Sequence, residues 1–282
     1  MDVAFVPSEH KDPKAFEDFK ARHASQFHVH AERATVLLFL NTTHPPFDDV
    51  GVRRAVNYAV DRAAISASYG TAFAQPTCQL RPPGTVGFRR YCPYTAASSQ
   101  TGEWKAPDLA RARRLVAASG TRGMRVTVWT YPGYWEEAAE GAVRALEELG
   151  YRASIRRAEG LNAYYVKVVD EKTRGVQAGM TGWYDVPRTA SSLLTLFRCI
   201  PPDLSFFCDR PINTRIARAL EVEATDPDAA VALWARIERD IVNLAPWVPL
   251  FTPSHALLTS KRVGNYQYNP ETKLLFDQLW VR

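Results

Sequence analysis

The stretch TVLLFLNTTHPPFDDVGVRRAVNYAVD, residues 35–61, decides the fold. Its apolar run 36–40 suits a buried strand and is too short for a helix that meets Pro45 and Pro46 so soon. Beyond the prolines, Asp48 or Asp49 is placed to cap a helix whose apolar residues Val52, Val56, Ala59 and Val60 recur at three- and four-residue spacing. The unit is a strand, a Pro-Pro turn and a capped helix.

Toward the amino terminus, residues 2–6 alternate weakly as a short strand, and Asp12-Pro13 is a helix start with Phe16 and Phe19 facing a core. His28-Val29-His30 opens another extended segment. On the other side, Pro107 starts an amphipathic helix through Leu109, Ala112, Leu115 and Val116 that Gly120 closes. A βα rhythm follows: strand 124–129, helix 135–149, strand 151–155, helix 161–169 and strand 176–180. Strands separated by helices of this length imply parallel pairing with right-handed crossovers. Asp226-Pro227 begins a helix with Ala230, Leu233, Trp234, Ile237, Ile241 and Leu244 on one face. Ala245-Pro246 stops it, and 247–251 is a short apolar strand.

The 282 residues are enough for one large or two modest domains, and 46% apolar with 23% charged residues is ordinary for a folded protein. No stretch approaches the roughly eighteen consecutive apolar residues of a membrane span, and the first twenty positions lack the apolar centre of a signal peptide. The net charge of +5 comes from arginines scattered in twos and threes over several helices, which reads as solvated faces and excludes a dense nucleic-acid patch. Cys78 with Cys92 and Cys199 with Cys208 form two close pairs in proline-rich loops. Their spacing does not suit zinc; two disulfides are expected, against the alternative of four buried thiols, and would imply an oxidising compartment.

Several motifs together resemble the family 5 extracellular solute-binding proteins, the peptide- and nickel-type receptors of ABC importers. They are Phe39-Leu40-Asn41, Pro45-Pro46-Phe47-Asp48-Asp49, Val52-Arg53-Arg54-Ala55 and Ala59-Val60-Asp61-Arg62. Pro76-Thr77-Cys78, Pro82-Pro83, Tyr91-Cys92-Pro93-Tyr94, Trp183-Tyr184-Asp185, Phe207-Cys208-Asp209 and Val248-Pro249-Leu250-Phe251 follow in the same order. The resemblance implies a type II periplasmic-binding-protein-like α/β fold, with one complete distal lobe and a partial proximal lobe joined by two hinge-crossing strands. The expected divisions are 1–45, 46–246 and 247–282, with Phe39, Leu40, Asn41, Pro249, Leu250 and Phe251 at the hinge. Members of the family are exported, often lipid-anchored and roughly twice this length. This chain therefore reads as the C-terminal portion of a longer, membrane-anchored protein acting outside the cell membrane with ABC importer subunits.

In open α/β sheets ligands bind beyond the carboxyl ends of the strands. The loops 129–135 and 182–188 leave two such ends and are expected to open on one cleft, offering Trp129, Tyr131, Tyr134, Trp183, Tyr184, Asp185 and Arg188 to a small-molecule or peptide ligand. A carboxylate among aromatics suits an ammonium group. Asp185 matches the aspartate that the resemblance pairs with a peptide's α-amino group, although Tyr184 and Arg188 depart from the family pattern. Asp185 reads equally as a loop cap, and the aromatics as loop packing. Ser254-His255 are adjacent without a nucleophile elbow, and His28 with His30 share a strand face without an evident third ligand, so neither enzyme nor metal site is expected. Phosphate loops and dinucleotide fingerprints are absent, so no cofactor is expected either. The alternative to an importer receptor is the same lobe acting as the sensing module of a cytoplasmic regulator.

Overall fold

The structure is a computed structural model that describes residues 2–6, 13–70, 72–97, 101–169, 175–184, 189–199, 204–270 and 272–282. Asp12 and the side chain of Phe16 lie outside the described residues. In chain order the elements are β1 (Val3–Val6), α1 (Pro13–Arg22), β2 (Phe27–Ala31), β3 (Ala34–Leu40), α2 (Val50–Ala59), α3 (Arg62–Ser68), β4 (Ala74–Pro76) and α4 (Leu109–Ser119). There follow β5 (Arg125–Thr130), α5 (Glu136–Glu148), β6 (Arg152–Arg157), α6 (Leu161–Val169), β7 (Ala178–Tyr184), α7 (Arg210–Thr225), α8 (Pro227–Leu244) and β8 (Trp247–Thr259). Four two-residue strands close the chain: β9 (Val263–Gly264), β10 (Tyr268–Asn269), β11 (Lys273–Leu274) and β12 (Trp280–Val281).

The apolar run beginning at Val36 is the centre of the architecture. All seven residues of β3 are buried, because β7 and β8 flank it on both sides and helices cover its faces. A strand enclosed in this way reads as an unbroken apolar run. The chain then turns through Pro45-Pro46, whose peptide bond is cis, and enters α2 under an Asp49 cap that accepts from Gly51 N at 2.5 Å and Val52 N at 3.3 Å. Asp61 caps the next helix, α3, by accepting from the Ala64 N–H.

The sheet runs β1-β8-β3-β7-β5-β6, with β2 and β4 also paired to β8. Pairing of β5 with both β6 and β7 is parallel, as the βα rhythm predicts, whereas β3 runs antiparallel to its two neighbours. The strand predicted over 176–180 occupies Ala178–Tyr184 instead, because β3 pairs with it all the way from Leu40↔Ala178 to Ala34↔Tyr184. The helix α7 was not anticipated, although Asp209 caps it and proline stands in its first turn. Gly120 ends α4 with φ 68°, and Ala245 ends α8 in the same left-handed region.

The strand predicted over 247–251 continues to Thr259, and that extension organises the molecule. The first part of β8 lies beside β3; its later part lies between β1 and β2, with Val6↔Ala256 on one side and Val29↔Ala256 on the other. The larger part of the sheet, with α2 to α8, therefore shares one strand with a smaller sheet β1-β8-β2. The other passage between the two is made by β2 and β3, separated only by Glu32 and Arg33. Both cysteine pairs are bonded, Cys78–Cys92 with Cα atoms 5.1 Å apart and Cys199–Cys208 at 4.7 Å.

Candidate functional site

The joint between the two sheets falls where β2 becomes β3 and where β8 changes partners. Glu32 donates its backbone N–H to the Pro253 carbonyl at 2.8 Å, which ties the two passages together at that level. The residues expected at the hinge sit deeper in the larger sheet, where Leu37 stands opposite Pro249 and Phe39 opposite Trp247.

Strand β7 ends at this joint, since Tyr184 is paired with Ala34. Strand β5 ends level with Met180 of β7, and the turn that follows carries Tyr131 and Tyr134. Tyr134 packs against Tyr69 at 5.0 Å and against Phe251 of β8 at 6.3 Å between ring centroids. Its own carbonyl accepts from the Tyr69 hydroxyl, which anchors the turn to α3. Burial, reinforced by the Glu32 carboxylate, raises the Tyr134 phenol above its ordinary range. Tyr131 packs against Trp135 and Tyr164 at 5.1 and 5.6 Å.

Alternation along β7 separates the two tryptophans from Tyr184. Trp183 lies on the same face of β7 as Gly179, which is paired with Trp129, whereas Tyr184 lies on the opposite face. The Trp129 ring sits between Arg156 and Lys167, 5.9 and 5.7 Å from its centroid, on the side that α6 covers. Trp183 is partly buried against the core. Asp185 and Arg188 lie outside the described residues.

Sequence reasoning missed the carboxylate at the centre of the joint. Glu32 Oε1 lies 3.4 Å from His255 Nδ1, and both side chains are less than one-fifth exposed. The Tyr184 hydroxyl also hydrogen-bonds the carboxylate. The bond to His255, with help from the charge of Lys273, holds the Glu32 carboxyl below the usual range against the opposing effect of burial.

From this point a histidine–tyrosine face extends over the smaller sheet. His28 and His30 do share one face of β2, and each is stacked on a tyrosine: His28 on Tyr266 at 3.8 Å and His30 on Tyr268 at 3.5 Å. His30 Nε2 is 2.7 Å from the Tyr266 hydroxyl, and its ring is 5.8 Å from that of His255. Burial, together with the charges of His255, His28 and Lys273, lowers the His30 pKa to about 4. The sequence signal was half present, because His28, His30 and His255 were each noticed for other reasons. Ser254 and His255, as neighbours on a strand, point to opposite faces, so they do not form a nucleophile–base pair. A groove of about 570 Å³ opens along the edge of this face, lined by His30 and Arg33, by Pro83 and Gly84 of the larger body, and by Tyr268.

An α/β body and a smaller sheet joined through shared strands make the type II periplasmic-binding-protein-like fold. Solved structures match this fold over the whole chain. The substrate-binding protein CtaP of Listeria monocytogenes superimposes with a TM-score of 0.81 at 18% identity, and this chain covers 56% of it. The ABC transporter-associated periplasmic binding protein DppA of Helicobacter pylori, solved in complex with the peptide STSA, gives 0.74 at 20% identity with 52% of its length covered. The chain belongs to the bacterial extracellular solute-binding proteins, family 5, whose profile matches residues 2–199. It is similar to the glutathione-binding protein GsiB of Salmonella typhimurium, at 26% identity over 248 residues. That match takes in 84% of this chain and 46% of the relative, so the chain spans about half the length of the curated relatives it matches. GsiB of Escherichia coli K12 matches over the same span at 25% identity.

Proposed function

We propose that this chain supplies one wall and the joint of a solute-binding receptor for an ABC importer, and that its solute is a short peptide. The observation that carries this reading is the convergence of Tyr134 and Tyr184 on Glu32 at the place where two sheets share their strands, with Tyr131 in the adjoining turn. Tyrosines give a peptide broad, amphipathic contact area, and exposed strand ends give its main chain hydrogen bonds with little sequence preference. Asp185 and Arg188, which follow β7 directly, are proposed to complete the contacts at the two charged ends of the ligand. Binding would close the larger body over the smaller about the two strand passages, because only the closed form lets one ligand touch both. Phe39, Leu40 and Asn41, with Pro249, Leu250 and Phe251, would then move as part of the larger body.

An extracellular site of action agrees with the two disulfides and with the family. No helix among the described residues is long and apolar enough to cross a membrane. Attachment to importer subunits, and a membrane anchor on a longer form, are proposed on the same basis. Isothermal titration of the chain with di-, tri- and tetrapeptides tests the reading. Saturable heats for peptides, lost in the Tyr184→Ala variant, support it; no heat with any peptide, or binding that Tyr184→Ala leaves intact, overturns it.

A further inference from the structure

We infer that Glu32 is a specificity-determining residue of the cleft, an acceptor for a cationic amino group on the ligand. The inference rests on the solute-binding reading above and adds a residue that neither motif nor resemblance marks. Three observations carry it.

The first is position. Glu32 stands between β2 and β3 at the level where β8 changes partners, with its backbone fixed by the bond to Pro253, so its side chain leaves from the link between the two sheets and meets His255 of β8 and Tyr184 of β7. The second is the company it keeps. Tyr184 donates to it, Tyr134 lies close enough to feel its charge, and Tyr268 is within the same electrostatic reach. Ring faces carry negative potential, so a carboxylate among tyrosines favours a cation twice, through the ion pair and through the π-systems.

The third is incomplete compensation. Among the described residues, His255 at 3.4 Å and the Tyr184 hydroxyl are the close partners of a carboxylate that offers about four acceptor positions. Lys273 acts on it through charge, and His30 and His28 face the same space but are held toward the neutral form by burial. A half-buried anion whose nearest partner is an imidazole gains more from an ammonium than an exposed carboxylate would, because less solvation is lost in making the pair.

The cation can come from two sources, a peptide's free α-amino group or a basic side chain. Three probes separate them: trialanine, N-acetyl-Ala-Lys-Ala-amide, and N-acetyl-trialanine-amide, which carries neither charge. Their dissociation constants are measured by titration calorimetry at neutral pH on the wild-type chain and on the isosteric Glu32→Gln variant. The inference expects Glu32→Gln to weaken at least one charged probe by about tenfold or more, with the uncharged probe changed less than about twofold. Glu32→Asp, which keeps the charge, should retain the preference for that probe and controls for loss of fold. Equal losses for all three probes, or no loss for any, overturn the inference and leave the receptor reading standing. Failure of the wild-type chain to bind any probe overturns the receptor reading itself.

Discussion

The guanidinium of Arg81 meets the carboxylate of Glu238 through bonds of 3.0 and 2.8 Å, with the two side chains 0% and 3% exposed. Glu238 also accepts from the Arg81 backbone N–H at 3.0 Å, and Arg81 donates onward to the carbonyls of Val86 and Ala190. One buried ion pair therefore fastens α8 to the loop that the first disulfide closes and to the segment after β7. Removing one partner strands the other charge in the interior. Glu238→Ala is expected to cost about 3–5 kcal/mol in urea unfolding, and the apolar double replacement Arg81→Met with Glu238→Leu to cost less than Glu238→Ala alone.

Acid should weaken the smaller sheet through His30. Its pKa falls from an unfolded value of 6.5 to about 4 in the folded chain, so between those values the unfolded chain binds more protons than the native one. Stability is then complete above about 6.5 and declines as pH falls toward 4. Glu32 acts in the same direction lower down, since its folded pKa lies below the model-compound value of 4.5 and its contribution is lost as the pH falls through the folded pKa. Unfolding free energies measured across this range should slope less steeply in His30→Gln, and an unchanged slope would contradict the assignment.

The loop closed by Cys78 and Cys92 spans 14 positions and holds the pair's neighbours Leu80 and Tyr94 in the core. In the chain-entropy model a closure of this length is worth about 3 kcal/mol. The double variant Cys78→Ser, Cys92→Ser should lose about that much, and a reductant should lower the melting temperature of the wild type but much less that of a variant lacking both disulfides.

Gly179 leaves room at the centre of β7. A Cβ there would stand 2.7 Å from ring atoms of Phe39 and 2.7 Å from the Tyr164 hydroxyl oxygen, with both side chains fully buried. Gly179→Ala should therefore destabilise by about 1–3 kcal/mol through overpacking. Pairing it with Phe39→Leu should recover part of the loss, which thermal melts of the two variants would show.

What could be read from the sequence was what local chemistry dictates. The run beginning at Val36 announced a strand buried on both faces, and the aspartates before α2 and α8 announced their starts. The two cysteine pairs followed from closeness within proline-rich loops. The second half of β8 was hidden because Pro253 and Ser254 resemble a turn; only pairing with β1, β2 and β4 keeps that stretch extended. The strand ends were legible, so Tyr131, Tyr134 and Tyr184 were named as candidates beside them. The pairing of Glu32 with His255 was not legible, because the two come from opposite ends of the chain and meet only when β2 and β8 lie side by side. Trp129 and Trp183 were grouped with the tyrosines for their chemistry, and strand alternation sends them to the face opposite Tyr184.

Because the thirteen residues of β8 run unbroken through both sheets, the two bodies are threaded on one axle. Sliding either along the other would shear ladder bonds on both flanks of that strand at once, whereas rotation concentrates its strain at a single station. Pro253 occupies that station, and having no amide hydrogen it forfeits no donor when the ladder is twisted there. The closure proposed above is therefore expected to be a swivel and not a slip.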